Sequence, residues 1–268
     1  MKKELLKIEK NVENPDTHLK HDGDIQIDAD VLKGATVEAA GSITADNAFG
    51  VQLIAGGDIK IRNEVASYKN NESVIYSNGR FSAEKVSGST VVAEKGAVIN
   101  IVENSRVISN DDIFVNSCIT SSEISSLKSI CARKTVSKNK PTVLESGRSV
   151  IIDEKVASLF KEKKTLLSRL DNIKRYLVKI DNAEKKEQLQ RKYDSINDMI
   201  TKISVNISEN AELAREKAVF GITIKESAEA GTKLIMKASK LDLENDVTSS
   251  HFTLKDEEII RKNLEGGS

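Results

Sequence analysis

Over a long stretch of the chain, apolar and polar residues alternate in short bursts. Ile25 and Ile27, Val37 and Ala39, Ile43 and Ala45, Leu53 and Ala55, and Ile59 and Ile61 are each separated by one residue. In a strand such pairs share one face. The polar neighbours Asp24, Gln26, Glu38, Thr44, Lys60 and Arg62 take the other, so the apolar face lines an interior. Between the bursts stand Gly34, Gly50, Gly56, Asn63, Asn78, Gly88, Asn104, Asn110 and Asn116. These types tolerate a left-handed backbone, which predicts corners there. A chain that turns this often is too interrupted for helices.

The bursts recur. A turn residue, a polar residue and a strand-opening apolar residue appear as Gly23-Asp24-Ile25, Gly41-Ser42-Ile43, Gly57-Asp58-Ile59, Gly79-Arg80-Phe81, Gly96-Ala97-Val98, Asp111-Asp112-Ile113 and Lys128-Ser129-Ile130. The offsets are 18, 16, 22, 17, 15 and 17 residues. Near-constant spacing with turns of variable length marks a solenoid, each unit one coil on the last. Coils that run the same way round stack their strands in parallel, about 4.8 Å apart, so that seven coils span roughly 34 Å. A left-handed hexapeptide helix would need strict spacing. The variable offsets predict a mainly β fold, a right-handed parallel β-helix, as parallel crossovers generally favour.

The pattern changes after Ile152. Ten of the fourteen glycines lie at or before Gly147, and none falls between it and Gly221. Val156, Leu159, Leu166, Leu170, Ile173, Leu177 and Ile180 are spaced by threes and fours, with Lys163 as the break. A second series follows at Leu189, Tyr193, Ile196, Ile200, Ile203 and Ile207. These are heptad seams. The polar link Asp181-Asn182-Ala183-Glu184-Lys185-Lys186 reverses the chain, giving an antiparallel coiled-coil hairpin with arms of about 40 Å. Strand patterns then return at Ala218-Val219-Phe220-Gly221-Ile222-Thr223-Ile224, Lys233-Leu234-Ile235-Met236 and His251-Phe252-Thr253-Leu254. The expected organisation is an N-terminal tail or cap over 1–21, with a turn at Asn14-Pro15-Asp16, a β-helix over 22–152 and a helical hairpin over 153–217. A β segment over 218–268 closes the β-helix and ends in a disordered Gly266-Gly267-Ser268.

Charge and composition narrow the function. Lys plus Arg equals Asp plus Glu at 41 each, so there is no long-range field to attract nucleic acid or an acidic membrane. Aromatics are 4 % and tryptophan is absent, leaving few rings to stack on bases or sugars. No run approaches the length of a membrane span, and the first residues lack the apolar core of an export signal. Cys118 and Cys131 fall out of phase, with Cys131 opposite Phe114, and read as free core thiols in a reducing, cytoplasmic compartment.

Candidate chemistry is thin. His18, His21 and His251 lie near the chain ends without metal-ligand spacing, and read as solvated residues outside the stack. Asp24, Asp58 and Asp112 share a repeat position, but Ser42, Arg80 and Ala97 interrupt them, so each is expected to bond its own turn. Ser117, Ser121, Ser122, Ser125, Ser126 and Ser129 have no base in phase and read as turn and surface residues. No helix follows Gly56-Gly57, which excludes a phosphate cradle. The basic group Arg133, Lys134, Lys138 and Lys140 suits an acidic partner. No catalytic, cofactor or metal-ligand residues emerge. A carbohydrate-active β-helix enzyme is disfavoured, because Phe49, Tyr68, Tyr76, Phe81 and Phe114 are scattered and no carboxylates cluster.

Several segments carry a resemblance: Ala55-Gly56-Gly57-Asp58-Ile59-Lys60-Ile61, Val102-Glu103-Asn104-Ser105-Arg106-Val107-Ile108-Ser109 before Asp112-Ile113, and Ile119-Thr120-Ser121-Ser122-Glu123-Ile124. With the later order of coiled coil, Gly221-Ile222-Thr223-Ile224, Phe252-Thr253-Leu254 and an acidic turn at Asp256-Glu257, they resemble the bacterial flagellar assembly protein A family over about 22–260. Two parts depart from it: Val136-Ser137-Lys138-Asn139-Lys140-Pro141 stands where a Gly-rich segment is expected, and the N-terminal globular region is missing. The resemblance implies a non-catalytic cytoplasmic structural or adaptor protein in flagellar assembly or placement, working through protein partners without a cofactor. A homo-oligomer through the coiled coil is one expectation. In shape the chain is also similar to the polymer-forming bactofilins.

Overall fold

The structure is a computed structural model that describes residues 4–13, 17–178, 180, 182–215 and 219–264. The turn read at Asn14-Pro15-Asp16, Ala218 and the tail from Gly266 to Ser268 lie outside the described residues. The chain divides into two compact units, one of Met1–Val150 with Ala218–Ser268 and one of Ile151–Lys217.

The first unit is a β-solenoid of about eight turns. Its strands form a 13-stranded and a 10-stranded sheet, each ordered coil by coil along the sequence. The alternation read from the sequence becomes continuous columns of inward side chains. In the larger sheet one column runs Leu6, Ile25, Ile43, Ile59, Phe81, Ala97, Ile113, Ile130, Ile222 and Phe252, each in register with the next. The smaller sheet answers with Leu19, Val37, Leu53, Ile75, Val91, Val107, Ile124, Leu144, Leu234 and Leu241. A third column runs Val12, Val31, Ala48, Val65, Val86, Val102, Ile119, Thr135, Ala228 and Val247. Most of these side chains are fully buried in one core. Each Val, Ile, Leu or Phe removed from water contributes about 1.5–3 kcal/mol.

One repeat phase differs from the sequence reading. Ala97, and not Val98, stands in the column opposite Phe81, while Val98 faces outward and is 43 % exposed. The larger apolar residue is therefore the wrong marker of the repeat, because the bulky Phe81 leaves room for only a small neighbour. The corners also divide. Gly34, Gly50, Gly88 and Asn104 are left-handed, as are Gly96 and Ser121, whereas Gly56, Asn63, Asn78, Asn110 and Asn116 are not. At Gly56, Asn63 and Asn78 the amide still donates to the preceding coil, so the ladder continues through them. Gly56 is required for another reason, since a Cβ there would lie 2.4 Å from the Ala40 carbonyl oxygen.

The stack begins one coil before the repeat at Gly23. Leu5–Ile8 and His18–His21 each pair in parallel with the following coil. The chain leaves the stack after Val143–Ser146 and resumes at Ile222–Ala228, which lies parallel to Ile130–Val136. Lys233–Met236 then pairs with Val143–Ser146. The last strands reverse. Ser239–Asp242, Val247–Lys255 and Glu258–Asn263 are all antiparallel to their neighbours.

The second unit is a pair of helices, α1 (Val150–Leu177) and α2 (Ala183–Arg215), that pack on each other. Leu166, Ile200 and Ile203 form the buried centre, flanked by Leu159, Leu170, Ile196 and Ile207. The middle of each seam thus packs on the other within the chain. Lys163 is half-buried in its seam. Asp181 of the polar run lies outside the described residues, and α2 begins within that run, where Asn182 Oδ1 accepts the Lys185 amide at 3.0 Å. Asn210 extends the second stripe beyond Ile207, buried with its Nδ2 donating to the Asn206 carbonyl at 2.6 Å.

Candidate interaction surfaces

The polar positions singled out in the sequence mostly tie one coil to the next. Asp24 Oδ1 accepts the Ser42 amide at 2.7 Å, Asp58 Oδ1 the Arg80 amide at 2.8 Å and Asp112 Oδ1 the Ser129 amide at 3.0 Å. Ser42 Oγ in turn accepts the Asp58 amide at 3.1 Å. These carboxylates thus bond the next coil and not their own turn, as first expected. The reason is the stacking distance: a short acceptor at this corner reaches the amide one strand away. A parallel ladder links Asn11, Asp30, Asn47 and Glu64.

The serines are likewise structural, and four of them correct the surface reading. Ser121, Ser122, Ser125 and Ser126 are buried. Ser122 Oγ donates to Thr120 O and accepts from Ser105 N, and Ser105 Oγ accepts from Ser89 N. Ser126 Oγ donates to the Asp111 carbonyl at 2.8 Å. Corner backbone that would otherwise lose water keeps a partner in this way. Of the serines expected at the surface, Ser117 is exposed and Ser129 half-buried.

The histidines belong to strands of the stack, which corrects their placement outside it. His18 Nε2 lies 3.0 Å from Glu38 Oε1, His21 Nε2 3.1 Å from the Glu4 carbonyl oxygen, and His251 Nδ1 2.7 Å from Thr223 Oγ1. They are spread over both ends of the solenoid order, and among the described residues no group of three metal-ligating side chains converges. Both cysteines are free, and Cys131 is in register with Phe114. Neither is a core residue, however: Cys131 alternates with buried Ile130 and Ala132 and so faces outward, half-exposed.

Charges of opposite sign alternate along one outer edge. Asp28 is held by Gln26, Arg62 and Lys7, and Arg62 also reaches Asp46 at 2.5 Å. The hydrogen bond from Gln26, followed by that from Arg62, draws the Asp28 carboxyl down to about 2. Lys85 bridges Glu64 and Glu103, and Glu103 above all raises its ammonium. In the basic group, Arg133 is committed to Glu226 at 2.5 Å, while Lys140 borders an open polar groove of about 440 Å³ with Lys69, Arg106 and Glu123.

Among the outward positions outside these ladders, several are apolar. Val98 and Phe114 stand side by side on the larger sheet, each 43 % exposed. Ile54, Tyr76 and Val92 form a column on the smaller one. Leu32, Phe49 and Tyr68 line a groove of about 470 Å³ at a third edge. On the helices Phe160, Leu167 and Met199 are exposed. Alternation alone hid these faces, since outward positions were assumed polar.

Parallel coils, interlocked polar corners and outward apolar columns define a β-solenoid protein carrying a helical hairpin. The chain belongs to the FapA family: the model of the Flagellar Assembly Protein A beta solenoid domain matches residues 4–259. No curated protein and no solved structure matches it significantly. The family gives the solenoid a place in flagellar assembly. No helix among the described residues is long and apolar enough to cross a membrane.

Proposed function

We propose that the protein is a non-catalytic adaptor in flagellar assembly or placement, binding protein partners through the outer faces of its solenoid and through its helical pair. The observation that carries this reading is the set of exposed apolar side chains on both units, Tyr76, Val98 and Phe114 on one and Phe160 and Met199 on the other. The polar groups of the coils are consumed in coil-to-coil bonds, which favours recognition over chemistry. Burying such apolar positions in a partner gives binding without a converging reactive set. The compartment that fits a partner at the flagellar base is the cytoplasm.

The reading is tested by deleting the chromosomal copy in a flagellated host and counting filaments by electron microscopy. Loss or misplacement of flagella, restored by the wild-type chain but not by one with Tyr76→Asp and Phe114→Asp, supports it. Normal flagella in the deletion strain sink it.

A further inference from the structure

At one end of the solenoid unit, among the described residues, both sheets stop on a strand with a single neighbour. Of the described strands, Leu5–Ile8 pairs only with Asp24–Ile27, and His18–His21 only with Thr36–Ala39. In a parallel ladder, alternate residues direct their backbone groups to opposite sides. Asp24 and Asp28 donate to the carbonyls of Glu4 and Ile8, and Thr36 and Ala40 to those of Thr17 and His21. The amides and carbonyls of Leu5, Lys7, His18 and Lys20 therefore point away from the stack. Among the described residues no backbone group meets them. The side chains beneath are apolar and half-covered: Leu6, Ile8 and Leu19 pack on the core from one side only, and Leu5 is 55 % exposed.

The opposite end is finished differently. Its strands turn antiparallel, and the outermost ones carry Glu258, Arg261 and Lys262 on one sheet and Lys240 and Asp242 on the other.

We infer that the end bearing Leu5–Ile8 and His18–His21 docks on the same end of a second copy of this chain, forming a two-fold dimer in which terminal strands add antiparallel. The edges lie on two sheets of one coil, so full coverage takes two strands at the spacing of a coil. A second copy's end presents that pair, whereas a single extended peptide covers one edge. Antiparallel addition centred on Leu6 sets Leu6 against its own copy on the inner side and closes the apolar floor. Each lysine of these strands lies beside a carboxylate, Lys7 beside Glu9 and Asp28 at 2.9 and 3.3 Å and Lys20 beside Glu38 at 3.2 Å. Each lysine thus brings its own counter-charge to the contact. Because the contact is isologous, assembly closes at two copies and builds no filament.

Sedimentation velocity on the 268-residue chain across a micromolar concentration series tests this, with Lys7→Pro/Lys20→Pro as the comparison. Proline at these positions removes outward donors and leaves the bonds to the next coil in place. Expected are a wild-type dimer and a variant shifted to monomer with an unchanged circular dichroism spectrum. Residue-resolved hydrogen exchange on the wild type reads the same contact without a substitution. The amides of Leu5, Lys7, His18 and Lys20 slow as concentration rises. A wild-type monomer throughout, a dimer that survives the double substitution, growth beyond two copies, or exchange at these four amides that ignores concentration overturns the proposal.

Discussion

The Asp58 carboxylate accepts the backbone amide of Arg80 at 2.8 Å, and its Oδ1 fills the space that a Cβ on Gly79 would need, 2.1 Å away. The same relation joins Asp24 to Gly41, at 2.0 Å. Glycine is thus demanded here by the side chain of the previous coil and not by its own backbone angle. Gly79→Ala is expected to destabilise the solenoid by about 1–3 kcal/mol, since the Gly57 and Asp58 backbone also crowds the site. Asp58→Ala is expected to cost about 0.5–1.5 kcal/mol, the net value of one hydrogen bond, since the exposed Arg80 amide regains water. Urea denaturation followed by circular dichroism measures both; no change in midpoint for Gly79→Ala would contradict the packing described.

Phe81 and Ala97 share the core column as a large and small pair. Phe81→Ala is expected to cost about 3–5 kcal/mol by leaving a cavity. Val98→Ala, one residue on and facing out, is expected to cost well under 1 kcal/mol. Equal losses for the two substitutions, measured by the same denaturation, would return Val98 to the interior and reject the register.

Asp28 supplies a pH dependence with a defined sign. Its carboxyl lies at about 2 in the folded chain, below the ordinary value of 3.8, because Gln26, Arg62 and Lys7 favour the ionised form. The folded state binds that proton less readily than the unfolded one. Its contribution is therefore complete above the ordinary value and is lost as pH falls from there toward 2. Asp28→Asn should flatten the fall in thermal midpoint across that window relative to wild type, and leave the neutral-pH slope alone. An identical acid profile in the two proteins would rule out the network.

The helical pair has a short centre. Ile200 lies within it, whereas Ile173 is only half-buried outside it. Ile200→Asp should therefore remove most of the helical signal while the β signal persists, since the two units have separate cores. Ile173→Asp should be milder. Loss of the β signal with Ile200→Asp, followed by circular dichroism on heating, would show that the units do not fold apart.

Most of this fold is legible in the sequence because solenoid columns and helix seams are periodic. Ile25, Ile43 and Ile59 declare their column, and Leu166, Ile200 and Ile203 theirs. The phase at Ala97 is not, since only packing opposite Phe81 decides between it and Val98. Strand direction at the C-terminal end is equally silent: alternation has the same period in parallel and antiparallel strands. The reversal rests on tight turns at Lys237, Asp256 and Glu257, which have φ of 55°, 50° and 65° without glycine to announce them. The exposed apolar faces are the least visible. An outward Tyr76 or Phe114 differs from an inward one only by register, and the buried serine corners resemble surface loops in composition.

The central claim, that recognition through exposed faces of both units is the task of this protein, is met most directly by site-specific photocrosslinking in cells assembling flagella. A benzophenone amino acid would replace Tyr76, Phe114 or Met199 in turn, with the inward Phe81 as the control. The account predicts adducts with a flagellar assembly protein from at least one solenoid site and from Met199, and none from Phe81. Cells that build normal flagella while none of the three outward sites yields an adduct would contradict it.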